Sequence, residues 1–291
     1  MPEDKLLPIG AISTITGVNS MTLRAWQRRY GLLKPQRTPS GHRLYSETDI
    51  DTIRQILFWM EKGIAVSKVK PYLSKNGSSS YEATQHPVDT STVCRAVSQF
   101  NQNTLAQCFD EYFSLYPVDI FARKIYPQIL TTLNQQWAIS DTAFSEEQFF
   151  FSYLKNRLAA NLLLNKTSKQ APKITIAALN EANSEIALLF LSASLSLHQY
   201  QIVYLGNHVD QTEMSDVLSQ TQSQALILFS NLKGSSLKAI RHIAEKTPTQ
   251  IFIASNQQQK PDKSLTQANV TLLSDEHNLM MKQINEVLKR S

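Results

Sequence analysis

The chain has 291 residues, 42% of them hydrophobic, and a formal net charge of +5; this length exceeds one small domain and predicts two or three, each with a buried core. No apolar run approaches the roughly 18 residues a membrane-spanning helix needs, and Met1-Pro2-Glu3-Asp4-Lys5 lacks the charged-then-apolar form of a signal peptide, so a cytoplasmic protein is expected. Cys94 and Cys108 are the only cysteines and stand fourteen positions apart, which argues against a disulfide framework and a Cys-rich metal site.

The charge is unevenly placed. Residues 1–75 hold twelve Lys and Arg against six Asp and Glu, a net +6, whereas the remainder is −1. A polyanionic partner is therefore expected for the first region alone, each neutralised phosphate adding about −0.9 to the salt slope of binding.

Ile9, Ile12, Ile15 and Val18 recur at three-residue spacing and predict a short supporting helix that Gly17 breaks. Asn19 or Ser20 can cap a second helix from about Met21. If its Leu23 and Trp26 face the core, Arg24, Gln27 and Arg28 fall on the opposite side, where they can reach phosphates and base edges in a major groove. Thr22 joins that set, and Arg29 and Tyr30 are candidate phosphate contacts. Pro35, Pro39 and Gly41 make Lys34 to Leu44 a turn-rich ribbon suited to a β wing, with His42 as an exposed loop residue or phosphate contact.

Ser46-Glu47-Thr48-Asp49 has the form of a capping box. The helix it opens carries Ile50, Ile53, Ile56, Leu57 and Met60 as its apolar stripe and stops at Gly63; Val66, Val69 and Leu73 mark another short helix. Residues 76–90, opening with Asn76-Gly77-Ser78-Ser79-Ser80, are expected to be a linker.

This ordered series resembles the MerR family of bacterial transcription regulators. Ile9-Gly10, Gly17-Val18, the run Thr22-Leu23-Arg24-Ala25-Trp26, the Arg37-to-Tyr45 wing and the helix start at Ser46 to Asp49 carry the resemblance. It implies a winged helix-turn-helix over residues 1–75 whose wing lies on the DNA backbone, with Arg37, Arg43 and Tyr45 as contacts. It also implies a dimer on double-stranded promoter DNA, between −35 and −10 elements with an overlong spacer, that activates by twisting the duplex for RNA polymerase.

From Ser91 to Lys166 the texture is helical, with Leu105, Phe109, Phe113, Ile120, Phe121, Ile125, Ile129, Phe150, Leu154 and Leu158 among its apolar positions, and predicts a four-helix bundle over residues 91–168. Strand-like runs at residues 174–179, 202–205, 225–229, 250–254 and 270–273 then alternate with helical segments, which predicts a parallel sheet covered on both faces over residues 172–291. The expected fold is multidomain, α and α/β: winged helix-turn-helix, four-helix bundle and flavodoxin-like parallel sheet.

That order of modules resembles the MerR proteins that sense light through adenosylcobalamin, and the head is most similar to the curli and biofilm regulators of enteric bacteria, whose cobalamin site is degenerate. The sensors' bundle motif is Trp-x9-Glu-His; Trp137 and Glu147 keep its spacing, and Gln148 stands where the ligating His would be. In the lower-ligand motif Ser184 takes the His place and Ala187 the Gly place. A hydroxyl cannot replace imidazole on cobalt, and His198 lies fourteen residues further along the same helix, about 21 Å away. His208 is expected at the carboxyl edge of the sheet as a surface residue. Ser230-Asn231-Leu232 keeps the family's Ser-x-Leu, but Ala254-Ser255-Asn256 replaces its Gly-Gly.

Trp137, Glu147, Ser184, His208, Ser230 and Leu232 thus outline a vestigial pocket for which no cofactor or metal is expected. The alternative is a switch gated by a corrinoid or another small molecule. No catalytic constellation occurs, so the chain is not expected to be an enzyme, and the C-terminal half is assigned to assembly or partner binding.

Overall fold

The structure is a computed structural model that describes residues 6–73, 89–164, 167–168, 170–179, 185–230, 234–255, 267–274 and 277–288. Nearly all of the linker expected at 76–90 lies outside the described residues.

The head opens with a strand that periodicity did not indicate, β1 (Leu7–Pro8), followed by α1 (Ile9–Thr16) and α2 (Ser20–Ala25), which runs on as a π turn through Trp26–Tyr30. β2 (Gln36–Arg37) and β3 (Arg43–Tyr45) form the wing, and β1 adds to its far edge, giving a three-stranded antiparallel sheet in the order β1-β3-β2. α3 (Glu47–Glu61), a 3-10 turn at Val66–Lys68 and α4 (Lys70–Leu73) complete the head.

Local chemistry sets these boundaries. Gly17 takes the left-handed conformation, φ 69°, that ends α1, where a side chain would be strained. The Asn19 side chain accepts from the Thr22 amide at 2.8 Å and caps α2. Ser46 and Asp49 bond reciprocally at the start of α3, as their spacing predicts. Ile12, Val18, Leu23, Trp26, Ile53 and Ile56 are fully buried in one core, whereas Ile15 is 47% exposed. A three-residue repeat drifts about 60° per step on a helix of 3.6 residues per turn, so the third member leaves the face begun by Ile9.

Four helical rods follow: α5 (Ser91–Ser98), α6 (Gln102–Leu115), a composite of α7 (Val118–Ile120), a π turn at Phe121–Ile125 and α8 (Tyr126–Trp137), and α9 (Ala143–Leu164). The π turn lies just ahead of Pro127, whose missing amide cannot continue the α-helical ladder. Phe109 centres an aromatic core, with the rings of Phe113, Phe121, Phe150 and Tyr153 at centroid distances of 5.5 to 6.3 Å. Head and bundle pack into one compact unit, Met1–Leu154. The head's core takes in Leu115 and Ile120 of the bundle, and Arg123 pairs with Glu61 of α3 at 3.0 Å and with Asp119 at 3.3 Å.

The second unit, Lys155–Ser291, holds β4 (Lys173–Ala178), α10 (Glu185–Leu197), β5 (Gln201–Gly206), α11 (Met214–Thr221), β6 (Ala225–Phe229), α12 (Ser235–Lys246), β7 (Gln250–Ala254), β8 (Val270–Leu272) and α13 (His277–Leu288). All strands are parallel, in the order β5-β4-β6-β7-β8. The side chains alternate. Ile174, Ile176 and Ala178 pack with α10 and α13, while Ala177 and Leu179 pack with α11 and α12. Burial on both faces explains the nearly continuous apolar runs. The architecture is the multidomain α and α/β fold expected, with a flavodoxin-like sheet. Among the described residues no helix is long and apolar enough to cross a membrane.

Candidate nucleic-acid interface

The recognition segment is the continuous helix Ser20 to Tyr30, formed by α2 and its π turn and closed by Gly31 at φ 58°. At about 100° per residue its buried members Leu23 and Trp26 share one side. Arg24 and Arg28 are exposed on the opposite side, and Gln27 is partly buried at its edge. The Arg43 guanidinium of β3 donates through Nε to Gln27 Oε1 at 2.6 Å and so ties the wing to this helix. The wing tip is self-bonded: Thr38 and Ser40 hydroxyls lie 2.9 Å apart, and Arg37 donates to the Gly41 carbonyl at 3.3 Å. Arg37 and His42 are exposed there.

The Arg43–Gln27 bond joins the wing to the recognition helix, and Arg24, Arg28, Arg37 and His42 stand free of the core. Two residues chosen for DNA contact do not. Tyr45 is 0% exposed and belongs to the head's core. Thr22 is likewise 0% exposed, and its hydroxyl donates to the Phe113 carbonyl at 3.3 Å. Arg29 and Tyr30 also turn toward the bundle: Arg29 stands 3.7 Å from Glu111, and Tyr30 packs near Tyr116.

Sequence reasoning missed the partner on this flank, the carboxyl end of α6. Trp26 carried the one usable signal, since a buried indole N–H demands an acceptor. Its Nε1 donates to the Leu115 carbonyl at 2.8 Å.

The residues chosen for a vestigial cofactor pocket fall in both compact units, and Ser184 and Leu232 lie outside the described residues. Trp137 packs its ring against Phe150 and Phe151, both at 6.3 Å. Glu147 is partly buried and Gln148 exposed, while the adjacent Glu146 is 2% exposed and accepts from Gln136, Ser140 and Thr142 at 2.6 to 2.8 Å. Burial raises the Glu146 carboxyl, but these donors outweigh it and hold the group below its ordinary range. That network ties the first turn of α9 to the end of α8 and the turn between them.

His208 is exposed in a left-handed turn, φ 59°, and Ser230 is fully buried at the end of β6. Among the described residues no group of three or more His, Cys, Asp or Glu could hold a metal ion. The carboxyl edge of the sheet does carry a cavity of about 350 Å³ on the α11 and α12 side, lined by Leu179, Val209, Asp210, Ser235, Ser236 and Lys238 among others.

Comparison with known proteins bears on the head first. Residues 7–76 match the family described as MerR HTH family regulatory protein. The chain is similar to the HTH-type transcriptional regulator MlrA of Salmonella typhimurium, 56% identical over 73 residues that make up 25% of this chain and 30% of MlrA. MlrA of Escherichia coli is 58% identical over 69 residues, 24% of this chain and 28% of that protein. The match therefore spans under a third of those relatives' length. The HTH-type transcriptional repressor CarH of Myxococcus xanthus is 24% identical over 218 residues, covering 71% of this chain and 72% of CarH. Among solved structures, a cobalamin-binding protein from Desulfitobacterium hafniense aligns with a TM-score of 0.33 at 13% identity over 69% of this chain and 98% of that one, too low to bear on fold or ligand. With the geometry of α1, α2 and the wing, these findings make residues 7–76 a helix-turn-helix domain of the MerR family.

Proposed function

We propose that the chain is a sequence-specific transcription regulator that binds double-stranded promoter DNA through its head as a homodimer or higher homo-oligomer. The observation that carries this reading is the outward pair Arg24 and Arg28 on the face opposite Leu23 and Trp26, joined to the wing by the Arg43–Gln27 bond. Guanidinium groups so placed can bond phosphates or the edge of guanine. On the resemblance of its head to MerR regulators, we read the chain as an activator at promoters with overlong spacers, with RNA polymerase as partner. The second unit serves assembly or partner binding and carries no catalytic role.

Selection of duplexes from a random library by the full chain, followed by anisotropy titration of the enriched sequence, tests the reading. Arg28→Ala should weaken that complex by about 1–3 kcal/mol and relax selection at the positions it reads. Unchanged affinity would take Arg28 off the interface, and failure to enrich any sequence would overturn the reading.

The cavity at the carboxyl edge favours a second reading, a regulator gated by a small molecule held in the sheet unit, since its volume of about 350 Å³ is within the range of ligand sites. The lack of axial imidazoles speaks against a corrinoid as that molecule. Titration of the full chain with adenosylcobalamin and hydroxocobalamin separates the two: saturable heat with a change in sedimentation would establish a corrinoid switch.

A further inference from the structure

We propose that the carboxyl end of α6 is a built-in competitor of DNA for one flank of the recognition helix, an inference that rests on the head being the DNA-binding module. Three donors on that flank are engaged by three negative acceptors of the bundle. Trp26 Nε1 donates to the Leu115 carbonyl at 2.8 Å, the Thr22 hydroxyl to the Phe113 carbonyl at 3.3 Å, and the Arg29 guanidinium faces the Glu111 carboxylate at 3.7 Å.

The two carbonyls belong to the last turn of α6, where backbone acceptors have no partner within the helix and the helix dipole is negative. With Glu111 they present the recognition helix with the kind of acceptors a phosphate backbone would offer. Asp110 and Glu111 are exposed beside them and would repel phosphates.

Steric reasoning agrees. A helix about 10–12 Å across fills a major groove about 12 Å wide, so the sugar-phosphate walls stand along its two flanks. Thr22 and Arg29 lie about 100–160° around the helix from Arg24 and Arg28. α6 is packed against that flank, where helix axes approach to about 8–10 Å, and so holds the space of one wall. Arg24 and Arg28 stay exposed and free to make the first encounter, but full seating in the groove requires α6 to withdraw.

The test uses the full chain with Cys94→Ala and Cys108→Ser, carrying Arg29→Cys and Glu111→Cys at the two exposed side chains that face one another, and a fluorescein-labelled duplex of mixed sequence at low salt. A short bismaleimide with an internal disulfide closes the contact, and comparing closed with cleaved protein cancels the loss of both side chains. Binding should fall at least tenfold on closure and return when the linker is reduced. Equal binding by both forms overturns the proposal, whereas no binding by the unmodified chain overturns the DNA-binding reading beneath it.

Glu111→Gln gives an independent readout. Releasing Arg29 to one more phosphate should tighten binding several-fold and steepen the salt slope by about 0.9. An unchanged affinity and slope would remove Glu111 from the competition.

Discussion

The hydroxyl of Tyr45 is buried without a hydrogen-bond partner among the described residues, and burial raises its pKa against the opposing pull of Arg43. Such a group is desolvated and gains little in return. Tyr45→Phe should therefore leave DNA affinity unchanged and stability equal or higher by up to about 1 kcal/mol, measured by urea unfolding and anisotropy. A marked loss of DNA binding would restore Tyr45 to the interface. Trp26 is the contrasting case, because its indole N–H is satisfied by Leu115. Trp26→Phe keeps most of the buried ring but leaves that carbonyl without its donor, and should lower stability by about 1–3 kcal/mol in the same unfolding assay.

At the scale of elements, the starts of α2 and α3 in the head are set by side chains next to the backbone they serve. Ser46 Oγ accepts from the Asp49 amide at 3.2 Å, and the Asp49 carboxylate accepts from the Ser46 amide at 2.9 Å. Ser46→Ala should lower stability by about 0.5–2 kcal/mol without altering DNA contacts, as thermal unfolding and anisotropy would show. The recognition segment is bounded in the same way by Asn19 and Gly31, and its π turn lets five residues, Trp26–Tyr30, reach the αL stop. In the second unit the strand order places β4 between β5 and β6, so the chain steps one way from β4 to β5 and then reverses past β4 to β6, with α10 and α11 on opposite faces. That switch point is where sheets of this kind hold ligands, and the cavity at Leu179 and Val209 lies beside it.

Across the whole molecule, tyrosines are held neutral by burial in both units. Burial raises Tyr116 and Tyr200, and burial with the added effect of Glu185 pushes Tyr204 up to about 12. The unfolded chain ionises first, near pH 10, so this stability is intact below pH 10 and is lost as pH rises through about 12 for Tyr204. Urea midpoints should hold steady from pH 8 to 10 and decline above it, and Tyr204→Phe should blunt the decline. A midpoint constant to pH 12 would show that the phenols ionise without penalty.

The MerR head was legible in residues that act on near neighbours: Gly17 and Gly63 as stops, Asn19 and Ser46 as caps, Leu23 and Trp26 as the inward stripe opposite Arg24 and Arg28. The parallel sheet was legible because strands buried on both faces are nearly continuous in apolar residues, as Ala225 to Phe229 is, and as Ile174 to Leu179 is but for Thr175, whose buried hydroxyl is paired with Ser223. Only the tertiary structure decided that Thr22 and Tyr45 point inward, that β1 joins the wing, and that head and bundle form one unit. Caps, turns and periodicity join residues within about four positions, whereas Trp26 meets Leu115 across 89 residues of chain. No local pattern records an acceptor that far away.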